Sequence, residues 1–336
     1  MGQRRLAVRT EQLRLTAPFR ISGYVFTHSD VVVATIGEGP HRGRGEASGA
    51  YYLGDDSARM VADIEAARDA IEGGAGRGEI QALMPPRGGR NAIDCALWEL
   101  EASQAGRPAW ALAGLDPPRP LVTTFTLGAD DPAIVAAGAR AYAGARAIKL
   151  KLTGALDEDL ARVAAAREAR PDVWLGVDAN QGFQRADLDR LIEALAAHDV
   201  RLLEQPLARG READLEGLGS PVPIAADESV LTLADLPGLV GRFDVVNIKL
   251  DKCGGLTEAL AMATEARRLG LQLMVGNMVG SSLAMGPAFL LGQLCDYVDL
   301  DGPAFLAEDR RPGIVYSDGL VSCPEEVWGG AGKRAA

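Results

Sequence analysis

From residue 121 the chain repeats one pattern: a short apolar run, an Ala/Leu/Glu/Arg-rich helical stretch, then another apolar run. Eight runs read as buried strands: Val122–Thr126, Ala147–Leu152, Trp174–Asp178, Val200–Glu204, Ile224–Asp227, Val245–Leu250, Gln272–Val275 and Tyr297–Asp301. They recur roughly every 20 to 30 residues, the length of one strand–helix unit. Eight such units close as an α/β barrel of the TIM type, whose strand ends all face one mouth.

Residues 1–118 follow a different grammar. Arg4–Leu15, Val31–Gly37 and Arg42–Ala47 read as strands. Residues 57–72 then read as a helix with Ser57 as N-cap and Gly73-Gly74 as its stop, and Asn91–Gln104 as a second helix. Strands followed by helices predict a separate α+β domain, with Asp116-Pro117-Pro118-Arg119-Pro120 as the boundary. The barrel is expected over 119–310. Residues 311–336 carry one strand-like piece, Gly313–Tyr316, and are expected to return to the first domain before a frayed tail over the last eight residues.

At 336 residues and a formal charge of −11, the chain has the wrong field for nucleic acid or an anionic membrane surface. It has no 18-residue apolar run, and its N-terminus lacks a signal-peptide core. Cys95, Cys253, Cys295 and Cys323 are scattered singly, which predicts neither a disulfide framework nor a zinc site. Together these features predict a cytoplasmic protein.

Charge gathers at the C-terminal ends of the barrel runs. Lys149 and Lys151 are two residues apart on one strand and so share a face, with Ile148, Leu150 and Leu152 on the other. Burying two ammonium groups is costly unless they have counter-charges or a chemical task. The third, fourth and fifth runs end in Asp178-Ala179-Asn180, Glu204-Gln205-Pro206 and Asp227-Glu228-Ser229. Three carboxylates brought that close repel unless a cation sits among them, and an oxygen-only ligand set suits Mg²⁺, with Mn²⁺ as a substitute. The alternative for each carboxylate is a helix N-cap. The sixth run carries Asn247, Lys249 and Asp251, and lies opposite the second. Lysines beside a cation or another lysine are expected to lose part of their pKa and act as bases. A metal that holds a substrate carboxylate between two such bases favours an enolate. One lysine removes the α-proton and the other returns it from the opposite face, which inverts the carbon.

With these motifs in hand, the chain resembles the enolase superfamily, muconate-lactonizing-enzyme subgroup. The resemblance rests on Lys149-Leu150-Lys151, Asp178-Ala179-Asn180, Glu204-Gln205-Pro206, Asp227-Glu228-Ser229 and Asn247-Ile248-Lys249. Such sites are a known case of a lysine base working with Mg²⁺. The resemblance implies a (β/α)7β modified TIM barrel with an N-terminal α+β capping domain. It implies Asp178, Glu204 and Asp227 as metal ligands, Lys151 and Lys249 as the acid/base pair, and Lys149 as an electrostatic aid. Asn180, Glu228, Asn247 and Asp251 are expected around them.

Within the subgroup the chain looks most like the dipeptide epimerases of the Ala-Glu type. The motif is Asp299-Leu300-Asp301-Gly302-Pro303, where the resemblance implies that Asp299 and Asp301 hold the substrate's α-ammonium. Two carboxylates on one strand face suit a cation. The resemblance also implies lid loops over about residues 18–29 and 49–56. Phe26 stands where Ala-Glu epimerases often carry an arginine, and Tyr24, Tyr51, Tyr52 and Leu53 add apolar surface. That predicts hydrophobic dipeptides, inverted at the C-terminal residue. Arg20 keeps an acidic residue open, and Asp55 and Asp56 a basic one. The alternatives are an N-acylamino acid racemase, a muconate or o-succinylbenzoate type cycloisomerase and, more remotely, a non-catalytic ligand-binding barrel. Of His28, His41 and His198 none falls on a barrel strand end, though His28 lies in the first lid loop. Barrel enzymes of this kind commonly form homo-oligomers.

Overall fold

The computed structural model describes residues 4–21 and 24–331, without the side chains of Ile21 and Tyr24. Eight parallel strands form one sheet in sequence order: Thr124–Leu127, Ala147–Lys151, Trp174–Asp178, Val200–Glu204, Ile224–Ala226, Val245–Ile248, Gln272–Val275 and Tyr297–Val298. Side-chain alternation explains how the barrel is filled. Trp174, Leu202, Ala225, Val245, Met274 and Tyr297 pack into one apolar cluster. Two or four residues further along the same strand faces stand Asp178, Glu204, Asp227, Asn247, Lys249 and Asp299. The barrel therefore has an apolar plug at its base and a polar ring at its mouth. The opposite faces, among them Ile148, Leu150, Val177 and Leu203, join the main core with helix residues such as Val163 and Leu191.

Three expectations for the barrel need correction. The first run is broken: Leu121–Val122 pairs antiparallel with Leu320–Ser322, and the barrel strand starts only at Thr124. The eighth strand stops at Val298, because Asp301 (φ −100°, ψ 5°) leads into a 3₁₀ turn, Gly302–Phe305. The fourth and fifth crossovers carry 3₁₀ turns, Glu212–Leu215 and Leu233–Leu239, instead of helices. Pro221, Pro223 and Pro237, with Gly217 and Gly219, deny those segments a continuous helical ladder.

Side chains, not a backbone ladder, join the first strand to the eighth. Thr124 Oγ1 donates to Asp299 Oδ1 at 2.5 Å, the Thr126 N–H to Asp301 Oδ2 at 2.7 Å, and the Leu300 N–H to Thr123 Oγ1 at 3.0 Å.

The cap is an antiparallel sheet of Arg5–Ile21, Tyr24–Glu38 and His41–Ala47 with helices on one face. Residues 18–29, expected as a loop, continue the first hairpin: Phe19 pairs with Phe26 and Arg20 with Val25 after a register shift. Ser22 and Gly23 of that stretch lie outside the described residues. The helix expected over 57–72 breaks at Ala67 into Ser57–Ala66 and Arg68–Glu72. Its N-cap is Asp56, which accepts from the Arg59 N–H at 2.8 Å, and not Ser57. A helix at Arg77–Leu83 had no counterpart in the sequence reading. The main cap helix, Gly88–Ala105, lies directly on the third strand. A Cβ at Gly43 or Gly45 would fall 1.9 or 2.0 Å from a carbonyl oxygen of that helix.

Near its end the chain touches the cap. Trp328 Nε1 donates to Arg44 O at 3.0 Å and the Gly329 N–H to Glu99 at 3.2 Å. Order thus continues through Gly329, and of the expected frayed tail residues 332–336 lie outside the described residues. Among the described residues no helix is long and apolar enough to cross a membrane.

Candidate active site

Asp178, Glu204 and Asp227 end the third strand, end the fourth and follow the fifth. All three are buried, and one oxygen of each lies within 4.8 Å of the others. None caps a helix: the helix after Asp178 starts at Arg185 behind Gln184, and Asp178 Oδ1 accepts instead from the Asn180 N–H at 2.9 Å.

Each of these carboxylates meets a lysine. Lys151 Nζ lies 2.5 Å from Asp178 Oδ2, and Lys249 Nζ 2.7 Å from Asp227 Oδ2. Lys149 Nζ pairs with Asp299 and stands 3.4 Å from Glu204 Oε2. The second and sixth strands are four places apart in a sheet of eight, so Lys151 and Lys249 flank the triad from opposite sides.

Sequence reasoning missed Lys252. It is 1% exposed and gives its three hydrogens to Asp227 Oδ1 at 2.5 Å, Asp227 O at 2.6 Å and Asn247 O at 3.0 Å. Gln205 was also missed as a support. Held at φ 36°, it accepts the Asp227 and Ser229 N–H groups on Oε1 and donates to Ser229 Oγ, so it fixes the end of the fifth strand. Asn277 is a third. It lines the cavity described below and donates to Asp299 O at 2.6 Å. The only sequence signal for Lys252 is its spacing of three from Lys249, which one helical turn, Leu250–Cys253, converts into proximity.

In the metal-free site neighbouring carboxylates dominate at Lys249 and Lys149. Burial pushes the Lys249 ammonium down, but Asp227, Glu204 and Asp178 together outweigh it and raise it well above the ordinary value. Lys149 is raised in the same way, against burial, by Asp299, Glu204 and Asp178. Burial lowers Lys252. The expectation of lowered lysines concerns the site with its cation bound. Burial, then the Asp178 charge, lifts Glu204 to about 7. Burial, then Asp227 and Asp178, lifts Glu228 to about 8. Asp227 falls far below the carboxylate range, because Lys249 and Lys252 overcome its burial.

This donor set fits a hard divalent cation. It offers carboxylate oxygens only, one from each residue and all within 4.8 Å of one another. Asn180 Oδ1, Asn247 Oδ1 and Glu228 Oε2 are buried without a hydrogen-bond partner among the described residues, so further oxygen acceptors surround the triad. Asn247 Nδ2 orients Glu204 at 2.7 Å.

Above the triad lies a cavity of about 570 Å³. Lys151, Asn180, Asp227, Glu228 and Lys249 line its barrel side. Phe19, Phe26, His28, Tyr51 and Tyr52 line its cap side, with Phe26 and Tyr51 edge-on at 5.2 Å between ring centroids. Arg20 does not line it and stands 3.7 Å from Asp130, while the Tyr24 side chain lies outside the described residues. Asp55 and Asp56 do line it, but Asp56 is spent on its helix and Asp55 Oδ2 accepts the Gly88 N–H at 2.8 Å.

Asp299 and Asp301 are buried outside this lining. Asp299 already faces an ammonium, that of Lys149, which with two hydrogen bonds lowers its carboxyl against its burial. Burial and the Asp299 charge raise Asp301 to about 6. Asp251 stands apart from the triad's shell, since its carboxylate accepts from Ser48, Gly49 and Asn91 of the cap.

A parallel eight-stranded barrel, an acidic triad at its mouth and an antiparallel cap define a class. The chain belongs to the family described as enolase C-terminal domain-like, which matches residues 133–329. Its relatives there are isomerases, and so is this enzyme. It is 39% identical to an L-Ala-D/L-Glu epimerase of Escherichia coli, over 94% of this chain and 98% of the relative. It is 42% identical to an N-acetyl-D-glutamate racemase of a Pseudoalteromonas species, over 75% and 80%. It is 36% identical to a hydrophobic dipeptide epimerase of Roseobacter litoralis, over 93% and 94%. Among solved structures, an enolase family member from Agrobacterium tumefaciens with homology to dipeptide epimerases, with bound sodium and L-Ala-L-Glu, superposes with a TM-score of 0.94 at 44% identity, over 97% of this chain and 100% of that one. A dipeptide epimerase from Enterococcus faecalis, complexed with Mg and L-Leu-L-Tyr, gives 0.90 at 29% identity, over 99% of each.

Proposed function

We propose that the protein is a Mg²⁺-dependent dipeptide epimerase that inverts the α-carbon of the C-terminal residue, with Mn²⁺ as a substitute ion. The carrying observation is the pair Lys151 and Lys249, on opposite sides of the acidic triad and both lining the cavity. Asp178, Glu204 and Asp227 hold the ion, which when bound supplies a Lewis acid for the charge that gathers on the substrate carboxylate as the α-proton leaves. One lysine, as the amine, takes that proton; the other, as the ammonium, delivers a proton to the opposite face. Lys149 adds fixed positive charge beside Glu204. Asp301 receives the substrate's α-ammonium, since Asp299 is engaged by Lys149.

The aromatic wall of Phe19, Phe26, Tyr51 and Tyr52 favours a hydrophobic side chain at the inverted residue, and Arg20 is drawn towards Asp130. An acidic side chain is the second reading. The Escherichia coli relative and the L-Ala-L-Glu bound to the Agrobacterium tumefaciens protein favour it, with His28 as a ring N–H donor that the cap places on the cavity.

Incubation of a dipeptide library with Mg²⁺ in D₂O tests the reaction. Deuterium is expected at the C-terminal α-carbon, first with hydrophobic partners. No exchange from any dipeptide sinks the proposal, and exchange from acidic partners alone sinks the lid argument. Lys151→Ala and Lys249→Ala are each expected to abolish inversion. Asp301→Asn separates this reading from the N-acylamino acid racemase that the Pseudoalteromonas relative represents. It should cripple free-amine dipeptides and spare N-acylated substrates.

A further inference from the structure

The two proposed bases are held in different ways. Lys151 stands on a strand laddered on both sides. Lys249 stands one residue beyond its strand, at the entry to the single helical turn Leu250–Cys253. Lys252 ties that turn to the barrel, and three further ties come from the cap. Arg90 donates to Gly254 O at 3.1 Å and to Cys253 O at 2.5 Å, and Asp94 accepts the Thr257 N–H at 2.9 Å.

The third tie is Asp251, two residues after Lys249 and 7% exposed. Its Oδ1 accepts the Ser48 N–H at 3.0 Å, the Gly49 N–H at 3.3 Å and Asn91 Nδ2 at 3.3 Å. Ser48 and Gly49 are the root of the lid segment that carries Tyr51 and Tyr52. Gly49 sits at φ 70°, where a Cβ would fall 2.0 Å from Asp55 O, so the root has one tight conformation. Ser48 Oγ is tied in addition to Val279 O, on the cavity wall, at 2.8 Å.

We propose that Asp251 is a positioning residue that sets Lys249 and the lid root in one register, so that the lid's seating controls proton transfer on Lys249's face of the substrate and not on Lys151's. This rests on the two-base reading above. A misplacement of about 1 Å in a reacting group costs about a hundredfold in rate, so even partial slackening of the turn is measurable.

The test uses full chains with Mg²⁺: wild type, Lys151→Ala, Lys249→Ala, Asp251→Ala and Asp251→Asn. Deuterium exchange is followed separately from the L- and D-C-terminal epimers of L-Ala-Phe and L-Ala-Glu. Each lysine variant should silence exchange from one epimer only. Asp251→Ala should lose about tenfold or more with the epimer that Lys249→Ala silences, and less than about threefold with the other. Asp251→Asn keeps an acceptor oxygen and should fall between, with the same bias. The ratio of the two rates does not depend on how much protein is folded, so lowered stability does not mimic the effect. Equal losses with both epimers, or a bias towards the epimer silenced by Lys151→Ala, overturns the inference. Lysine variants that show no epimer preference overturn the two-base reading itself.

Discussion

Lys252→Met probes how the acidic centre is held together. Methionine keeps most of the stem's volume, so little cavity is created and the loss is that of the charge and its hydrogen bonds. Removing one partner of a buried ion pair costs ~3–5 kcal/mol. Leaving Asn247 O without the Lys252 donor adds ~1–3 kcal/mol, while Asp227 O keeps the Val230 N–H at 3.2 Å. Asp227 retains Lys249 at 2.7 Å, which offsets part of the first cost. The net loss is expected at about 4–6 kcal/mol, a large share of the ~5–15 kcal/mol that holds a typical domain. Urea unfolding followed by circular dichroism reads it as a lower midpoint at unchanged slope. The deficit should shrink when Mg²⁺ is added, because a bound cation returns counter-charge to Asp227. A loss under about 1 kcal/mol in metal-free protein refutes the reasoning, since buried partners would then not need the ammonium.

Three other expectations follow from named contacts. Asp94 is fully buried, and burial raises its carboxyl from 3.8 to about 6. The folded state therefore binds this proton more tightly than the unfolded state. The resulting stability, ~3 kcal/mol, is complete below the unfolded pKa and is lost as pH rises through the folded one. The stability of wild type relative to Asp94→Asn should accordingly fall between about pH 4 and pH 7, and a pH-independent difference refutes this. Gly43→Ala places a Cβ 1.9 Å from Ala96 O, so the Gly88–Ala105 helix must lift off its sheet. Unfolding measurements should show a loss of about 3 kcal/mol or more. Mg²⁺ titrated into chelator-treated protein should raise the melting temperature in a concentration-dependent way, and the rise should vanish in Asp178→Asn.

The barrel was legible because its signals are local. Each strand is short, apolar and followed by a polar residue, and alternation alone tells which side chains point inward. The clustering of the triad with Lys151 and Lys249 was legible for the same reason: each stands at or just beyond a strand end, and the order of strands brings the ends together. What was not legible depends on partners far away in sequence. Leu121–Val122 reads like barrel strand but finds Leu320–Ser322. Residues 18–29 lack an alternating pattern, yet Phe19 and Arg20 pair with Phe26 and Val25. Lys252 looks like any lysine in a helix until Asp227 is placed against it. Asp251 reads as another strand-end carboxylate, and only the docked cap shows that its Oδ1 accepts from Ser48 and Gly49.

The side-chain seam between the first and eighth strands also bears on the order in which the molecule acquires its abilities. Neighbouring barrel strands ladder across gaps of roughly 25 residues, whereas Thr124 and Asp299 are 175 positions apart. So distant a contact forms cheaply only after the intervening ladders have shortened the effective loop. The triad comes from three adjacent strands and needs no seam. The Lys149–Asp299 pair and the seating of Asp301 do need it. In a refolding chain the three strands of the triad can therefore pair before the seam forms, and Asp299 and Asp301 take their places last, with closure.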